Sequence, residues 1–140
     1  MLTNKRAAVA ILGFLLFLGG CTGSDRPDGR AHGDNPFHGH WVGTFTDSRL
    51  SQNGTVEFTV EGDGALSGFA HNITLNLITD VTGTIDKHGN LTYTYVYQGI
   101  KYDAVGRLVL DANSGHLKGT ANLYLNGQDF GTDAFDMSKQ

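Results

Sequence analysis

From Gly39 almost to the last residue, apolar and polar side chains alternate with a period of two, the spacing of a strand with one buried face. Trp41, Gly43 and Phe45 point one way, and Val42, Thr44 and Thr46 the other. Val56, Phe58 and Val60 then alternate with Thr55, Glu57, Thr59 and Glu61, and Leu66-Gly68-Ala70 follows the tight turn Glu61-Gly62-Asp63-Gly64. Asn72 to Asp80 is less regular and reads as a strand plus a bend. Val81-Gly83-Ile85 leads into a turn at Lys87-His88-Gly89-Asn90, after which Leu91, Tyr93, Tyr95 and Tyr97 share one face. Gly99 turns the chain again. Ala104-Gly106-Leu108-Leu110 runs to the turn at Ala112-Asn113-Ser114-Gly115, and Leu117-Gly119-Ala121-Leu123-Leu125 returns from it. Asn126-Gly127 is a strong two-residue hairpin signal, and Phe130 to Met137 forms the last strand.

About eight strands on short connections leave no room for helical crossovers, so neighbours must pair antiparallel as a meander. A weak repeat of about 25 residues runs through Asp63-Gly64-Ala65-Leu66, His88-Gly89-Asn90-Leu91 and Ser114-Gly115-His116-Leu117, with one hairpin as its unit. Glycines fall on the apolar face at Gly43, Gly68, Gly83, Gly106 and Gly119. There they weaken a flat sheet but suit one that coils onto itself. Closure also removes the exposed edges of a long meander. The predicted fold is all-β: an up-and-down antiparallel meander of about eight strands closing into a small barrel over residues 37–140.

The segment ahead of the barrel is of another kind. Lys5 and Arg6 precede an apolar run from Ala7 to Leu18, the charged and hydrophobic regions of a signal peptide over residues 1–20. The run is shorter than the roughly 20 apolar residues that span a bilayer. Thr22 to Pro36 has hardly any apolar residue and no period, so residues 21–36 read as a flexible tether. Without Lys5 and Arg6 the chain keeps 8 basic against 14 acidic side chains, a net charge of 8 − 14 = −6, which argues against nucleic acid as a partner. The single cysteine, Cys21, leaves no intramolecular disulfide, so the barrel must be stable from its core alone.

Leu18-Gly19-Gly20-Cys21 resembles the lipobox of bacterial lipoproteins, with Leu three before the Cys and Gly just before it. The resemblance implies a diacylglycerol thioether on Cys21, removal of residues 1–20 and acylation of the freed amine. That gives a membrane anchor of several chains, where a single chain binds only marginally. Thr22, in the position where this family's Asp retains proteins at the inner membrane, implies the outer membrane of a Gram-negative cell envelope.

Gly39-His40-Trp41, opening the first strand of the barrel, looks like the Gly-x-Trp motif of lipocalins and related calycins, whose Trp packs across the closed end. Thr79-Asp80-Val81 matches part of that family's later Thr-Asp-Tyr. Lys139 is the basic residue nearest the end of the last strand, where the family carries an Arg over the Trp. The strand Gly54 to Val60, the Asp63-Gly64-Ala65-Leu66-Ser67-Gly68 turn and the late Gly119 to Tyr124 segment are similar to barrel domains of surface lipoproteins of the transferrin-binding kind.

No nucleophile elbow, zinc-binding His-Glu-x-x-His or phosphate loop is present, so the chain is not expected to be an enzyme or to need a cofactor. Asp129, Asp133 and Asp136 read as solubilising charge, Asp111 to Gly115 as a turn, and His32, His38 and His40 as solvated side chains without metal-site spacing. The informative feature is the column Tyr93, Tyr95, Tyr97: three rings and three hydroxyls on the apolar face. With Trp41 they are the candidate ligand-binding residues, either filling space or lining a pocket. Two functions follow. One is a lipid-anchored envelope binding module for a small apolar ligand or a protein partner; the other is a structural or enzyme-inhibitory lipoprotein acting only through protein contacts. A cavity of roughly 300 Å³ or more marks the first and a filled interior the second.

Overall fold

The computed structural model describes residues 35–140; the expected signal peptide, Cys21 and His32 lie outside the described residues. Eight strands follow in order: β1 (Gly39–Asp47), β2 (Gln52–Val60), β3 (Ala65–Asn72), β4 (Leu77–Ile85), β5 (Asn90–Tyr97), β6 (Ile100–Leu110), β7 (Leu117–Leu125) and β8 (Gln128–Lys139). Each pairs antiparallel with the next, and β8 returns to β1 from Trp41 opposite Lys139 to Asp47 opposite Asp133, closing the barrel. The period of two does what it predicts. Trp41, Phe58, Leu91, Leu108, Leu117 and Met137 are buried inside, while the threonines between them face water. The irregular stretch from Asn72 resolves into the end of β3, a turn over Ile73–Asn76 and the start of β4, which runs on through Val81 to Ile85 as one strand.

Glycines on the inward face permit the curl. A Cβ on Gly68 would collide with the carbonyl oxygen of Glu57 on β2, and one on Gly119 with that of Arg107 on β6. Strands this close can coil past each other only where no side chain intervenes.

The two ends of the barrel differ. The three repeat turns gather at one end, each closed by a backbone hydrogen bond: Glu61 N–H to Ala65 O at 2.8 Å, Asp86 N–H to Asn90 O at 3.0 Å and Asp111 N–H to His116 O at 2.8 Å. Ile85 N–H donates to Gly64 O and Leu108 N–H to Gly89 O, both at 2.8 Å, stitching the first two turns to a neighbouring strand. Phe37 is buried at this end, and its carbonyl accepts the Trp41 indole N–H at 2.7 Å. Asn35, which the sequence pattern assigns to the tether, already donates its amide to Ile85 O at 2.8 Å. Lys139 Nζ lies 5.7 Å from the centre of the Trp41 ring and donates to His38 O at 2.6 Å. A cation over an indole face is favourable, and here it covers the closed end.

Phe58 reports on the packing. It is 2% exposed and meets Phe135 with ring centroids 6.2 Å apart. Phe58→Ala is expected to cost about 3 to 5 kcal/mol in urea unfolding, because the rigid wall cannot collapse into the space left. A loss under about 1 kcal/mol contradicts a packed interior at this level.

Candidate functional site

The opposite end, ringed by the β1–β2, β3–β4, β5–β6 and β7–β8 connections, holds a cavity of about 140 Å³. Phe45, Val56, Ala70, Val81, Leu123 and Phe135 form its apolar wall, and Gln52, Asn72, Thr79 and Asp133 its polar positions. The inward face of β5 climbs through it, so Tyr93, Tyr95 and Tyr97 all line the cavity. Tyr95 stacks on its cross-strand partner Tyr102, with centroids 4.9 Å apart and planes at 5°, and Tyr102 meets Phe130 at 5.4 Å. Trp41 is outside the lining, held at the closed end by Phe37 and Lys139.

Two carboxyl groups are buried at this end of the barrel, and of the two Asp133 lines the cavity. On β1 the inward positions after Trp41 are Gly43, Phe45 and then Asp47; on β8 Asp133 precedes Phe135 and Met137. Barrel closure sets Asp47 directly opposite Asp133, and the two are only 2% and 7% exposed. The Tyr93 hydroxyl donates to Asp133 Oδ2 at 2.6 Å. Asp47 Oδ1 accepts the Leu50 N–H at 2.7 Å, while Asp47 Oδ2 has no hydrogen-bond partner among the described residues. That oxygen occupies the space a Cβ on Gly131 would take.

Asp133 therefore corrects the sequence reading, which set it with Asp129 as surface charge. The β7–β8 register shifts between Leu123 and Tyr124: Leu123 faces Gly131 while Tyr124 faces Asp129, leaving Phe130 over. The bulge sends Asp129 outward to pair with Arg49 at 2.8 Å, while Asp133 keeps the inward series of Phe135 and Met137. The signal was present, since Asp133 stands two before Phe135, Asp47 two after Phe45 and Tyr102 two before Ala104.

Burial pushes the Asp133 carboxyl up to about 6; the Tyr93 hydrogen bond opposes this and the Asp47 carboxylate adds to it. Burial, then the Asp133 charge, hold the Tyr93 phenol well above its ordinary range, so it stays a donor. Tyr95 is raised by the same two causes.

The wall has a second opening. The β4–β5 ladder stops at Val81 opposite Tyr95, and beyond it Leu75, Leu77, Thr79, Tyr95 and Tyr97 line both the cavity and a lateral cleft that Ile78 and Val96 border. The other sequence candidates sit elsewhere. His40 Nε2 lies 2.9 Å from Glu57 Oε1, His38 is exposed, and Asp111 Oδ1 accepts from the Asn113 N–H at 2.9 Å inside its turn. The arrangement can receive a body of about one ring against aromatic faces and meet it with the Asp133 carboxyl. Comparison with known proteins finds no family, no curated protein and no solved structure that the chain matches.

The raised Asp133 carboxyl makes stability depend on pH. Between its ordinary 3.8 and about 6, the folded state keeps a proton that the unfolded chain releases, so stability falls as pH rises through that window. The loss is about 3 kcal/mol, two pKa units at 1.4 kcal/mol each. Asp86, Asp111 and Asp136 are lowered and act with the opposite sign, so the test is a difference between variants. Asp133→Asn, which can still accept from Tyr93, is expected to be more stable than wild type at pH 7.5 and to converge on it below pH 4. A variant less stable at pH 7.5 overturns this account.

Proposed function

We infer that the protein is a small-ligand-binding barrel, lipid-anchored through Cys21 in a bacterial cell envelope at the outer membrane, and not an enzyme. The observation carrying the binding reading is the tyrosine-lined cavity at one end of a barrel whose other end is packed solid. At about 140 Å³ it falls short of the roughly 300 Å³ of drug-sized sites and matches instead the size of an engineered cavity of about 150 Å³ that holds benzene. The ligand is thus small, with one ring or its aliphatic equivalent. The anchor rests on the Leu18-Gly19-Gly20-Cys21 box and the apolar run before it. The geometry is compatible with tethering: the chain enters the barrel at the closed end, beside Asn35 and Phe37, so the mouth lies at the far end from the attachment.

A second reading, protein contact, is favoured by one feature. Ile73, Leu75, Ile78, Val96 and Ile100 are exposed on the strands and connections at this end. Isolated exposed apolar residues are ordinary, but a group of them beside one opening fits a partner surface.

Ala70→Leu, which fills the cavity from β3, separates the two readings. Neutral, cationic and anionic single-ring probes titrated into the wild-type protein are expected to give saturable binding for at least one, weakened at least tenfold in the variant with its β circular dichroism unchanged. Binding indifferent to the filled cavity overturns the pocket reading and leaves protein contact. For the anchor, Cys21→Ser is expected to abolish acylation and leave an uncleaved precursor, because a hydroxyl does not form the thioether. Mass spectrometry of wild-type protein from membranes that finds no lipid on Cys21 refutes it.

A further inference from the structure

The inward carboxyl groups narrow the chemistry of the ligand, on the premise that the cavity is a ligand site. We propose that it takes a small organic cation, a protonated amine on a body of about one ring, with the ammonium seated against Asp133, the carboxyl that lines the cavity, and drawn also by the charge of Asp47 facing it.

Asp133, the charged side chain among the described lining residues, is the starting point, and facing it, outside the lining, stands Asp47 with its Oδ2 against Gly131. Among the described residues that oxygen is the one buried side-chain polar atom without a hydrogen-bond partner, on a residue 2% exposed. A buried carboxylate oxygen with no donor is costly to keep, and natural structures rarely keep one without a reason. Its place is made for it, since β8 carries Gly131 where any side chain would displace that oxygen. The surroundings do not supply the missing donor. Among the described residues the cavity lining contains no Lys, Arg or His, and the Tyr93 hydroxyl is already given to Asp133. The cations nearest in the chain to this end, Arg49 and Lys101, pair outside with Asp129 and Asp103.

The positive charge that compensates the pair is therefore left to the occupant, which meets Asp133 in the lining and Asp47 behind it through charge alone. A neutral alcohol offers one O–H; an ammonium offers three N–H groups and a charge that two facing carboxyl groups attract. An anion is repelled. The remaining wall suits the rest of such a molecule, because Phe45, Tyr95, Tyr102 and Phe130 present rings that bind both an apolar body and a cation. The volume of about 140 Å³ sets the body at about one ring.

The test uses the full chain in lipid nanodiscs and three probes of nearly equal size: benzylamine, protonated at pH 7, benzyl alcohol and benzoate. Binding is measured by calorimetry, with the Asp47→Asn/Asp133→Asn double variant in identical nanodiscs as a second arm. Benzylammonium is expected to bind at least tenfold tighter than benzyl alcohol, benzoate not at all, and the double variant to lose the preference. Benzyl alcohol binding as tightly as the amine overturns the cation proposal and leaves small-ligand binding standing, and this comparison needs only wild-type protein. A preference that survives in a folded double variant also overturns it, because other groups then read the charge. No binding of any probe overturns the cation proposal and the pocket reading together.

Discussion

The ladder between β1 and β8 is the interaction on which the rest of the structure depends. Seven strand pairs come from hairpins between neighbours in the chain, but this eighth joins the two ends of the domain, with Trp41 opposite Lys139 and Asp47 opposite Asp133. Without it the meander has two open edges and an apolar face on a flat sheet. Its register also decides both ends of the barrel at once. One end of the ladder brings Lys139 over the Trp41 indole; the other presses two carboxyl groups together. A slip by one residue would turn every inward side chain of β8 to solvent, so the buried Phe135 and Met137 hold the register that also holds Asp133 inside.

The ends then divide the work. At the closed end, short turns bonded to neighbouring strands, Phe37 and the capped indole leave no space, and the charges there remain outside. At the open end the core thins into tyrosines, amides and carboxyl groups. Polar groups in a core normally lower stability, so their confinement to one end separates a part of the molecule that holds the fold from a part free to bind.

The alternation of two, the hairpin turns and the coiling glycines were legible because each is local, set by side chains within a few residues of one another. The tyrosine column was legible for the same reason. What the sequence hides is cross-strand. Asp47 and Asp133 are 86 positions apart, and nothing short of the closing register says that they meet. The bulge at Phe130 hides further, because Asp129 and Asp133, four apart, would share a face in a regular strand, and the single extra residue puts them on opposite faces. Trp41 shows the converse: the motif around it marks the first strand and the closed end, yet the closed end is where the cavity is not.

The facing carboxyl groups also bear on why this barrel tolerates a weakness at its mouth. Two apolar side chains at these positions would extend the wall of Phe45 and Phe135 and remove both the proton uptake at Asp133 and the orphaned oxygen of Asp47. The chain instead spends Gly131 on making room for one carboxyl and Tyr93 on bonding the other. Such support around a costly pair is what distinguishes a maintained polar site from a packing defect, since a defect would lack the complementary groups. The same reasoning sets the order of strength: the rings and the closed end hold the barrel against unfolding, and that reserve lets the carboxyl pair stay buried at the open end.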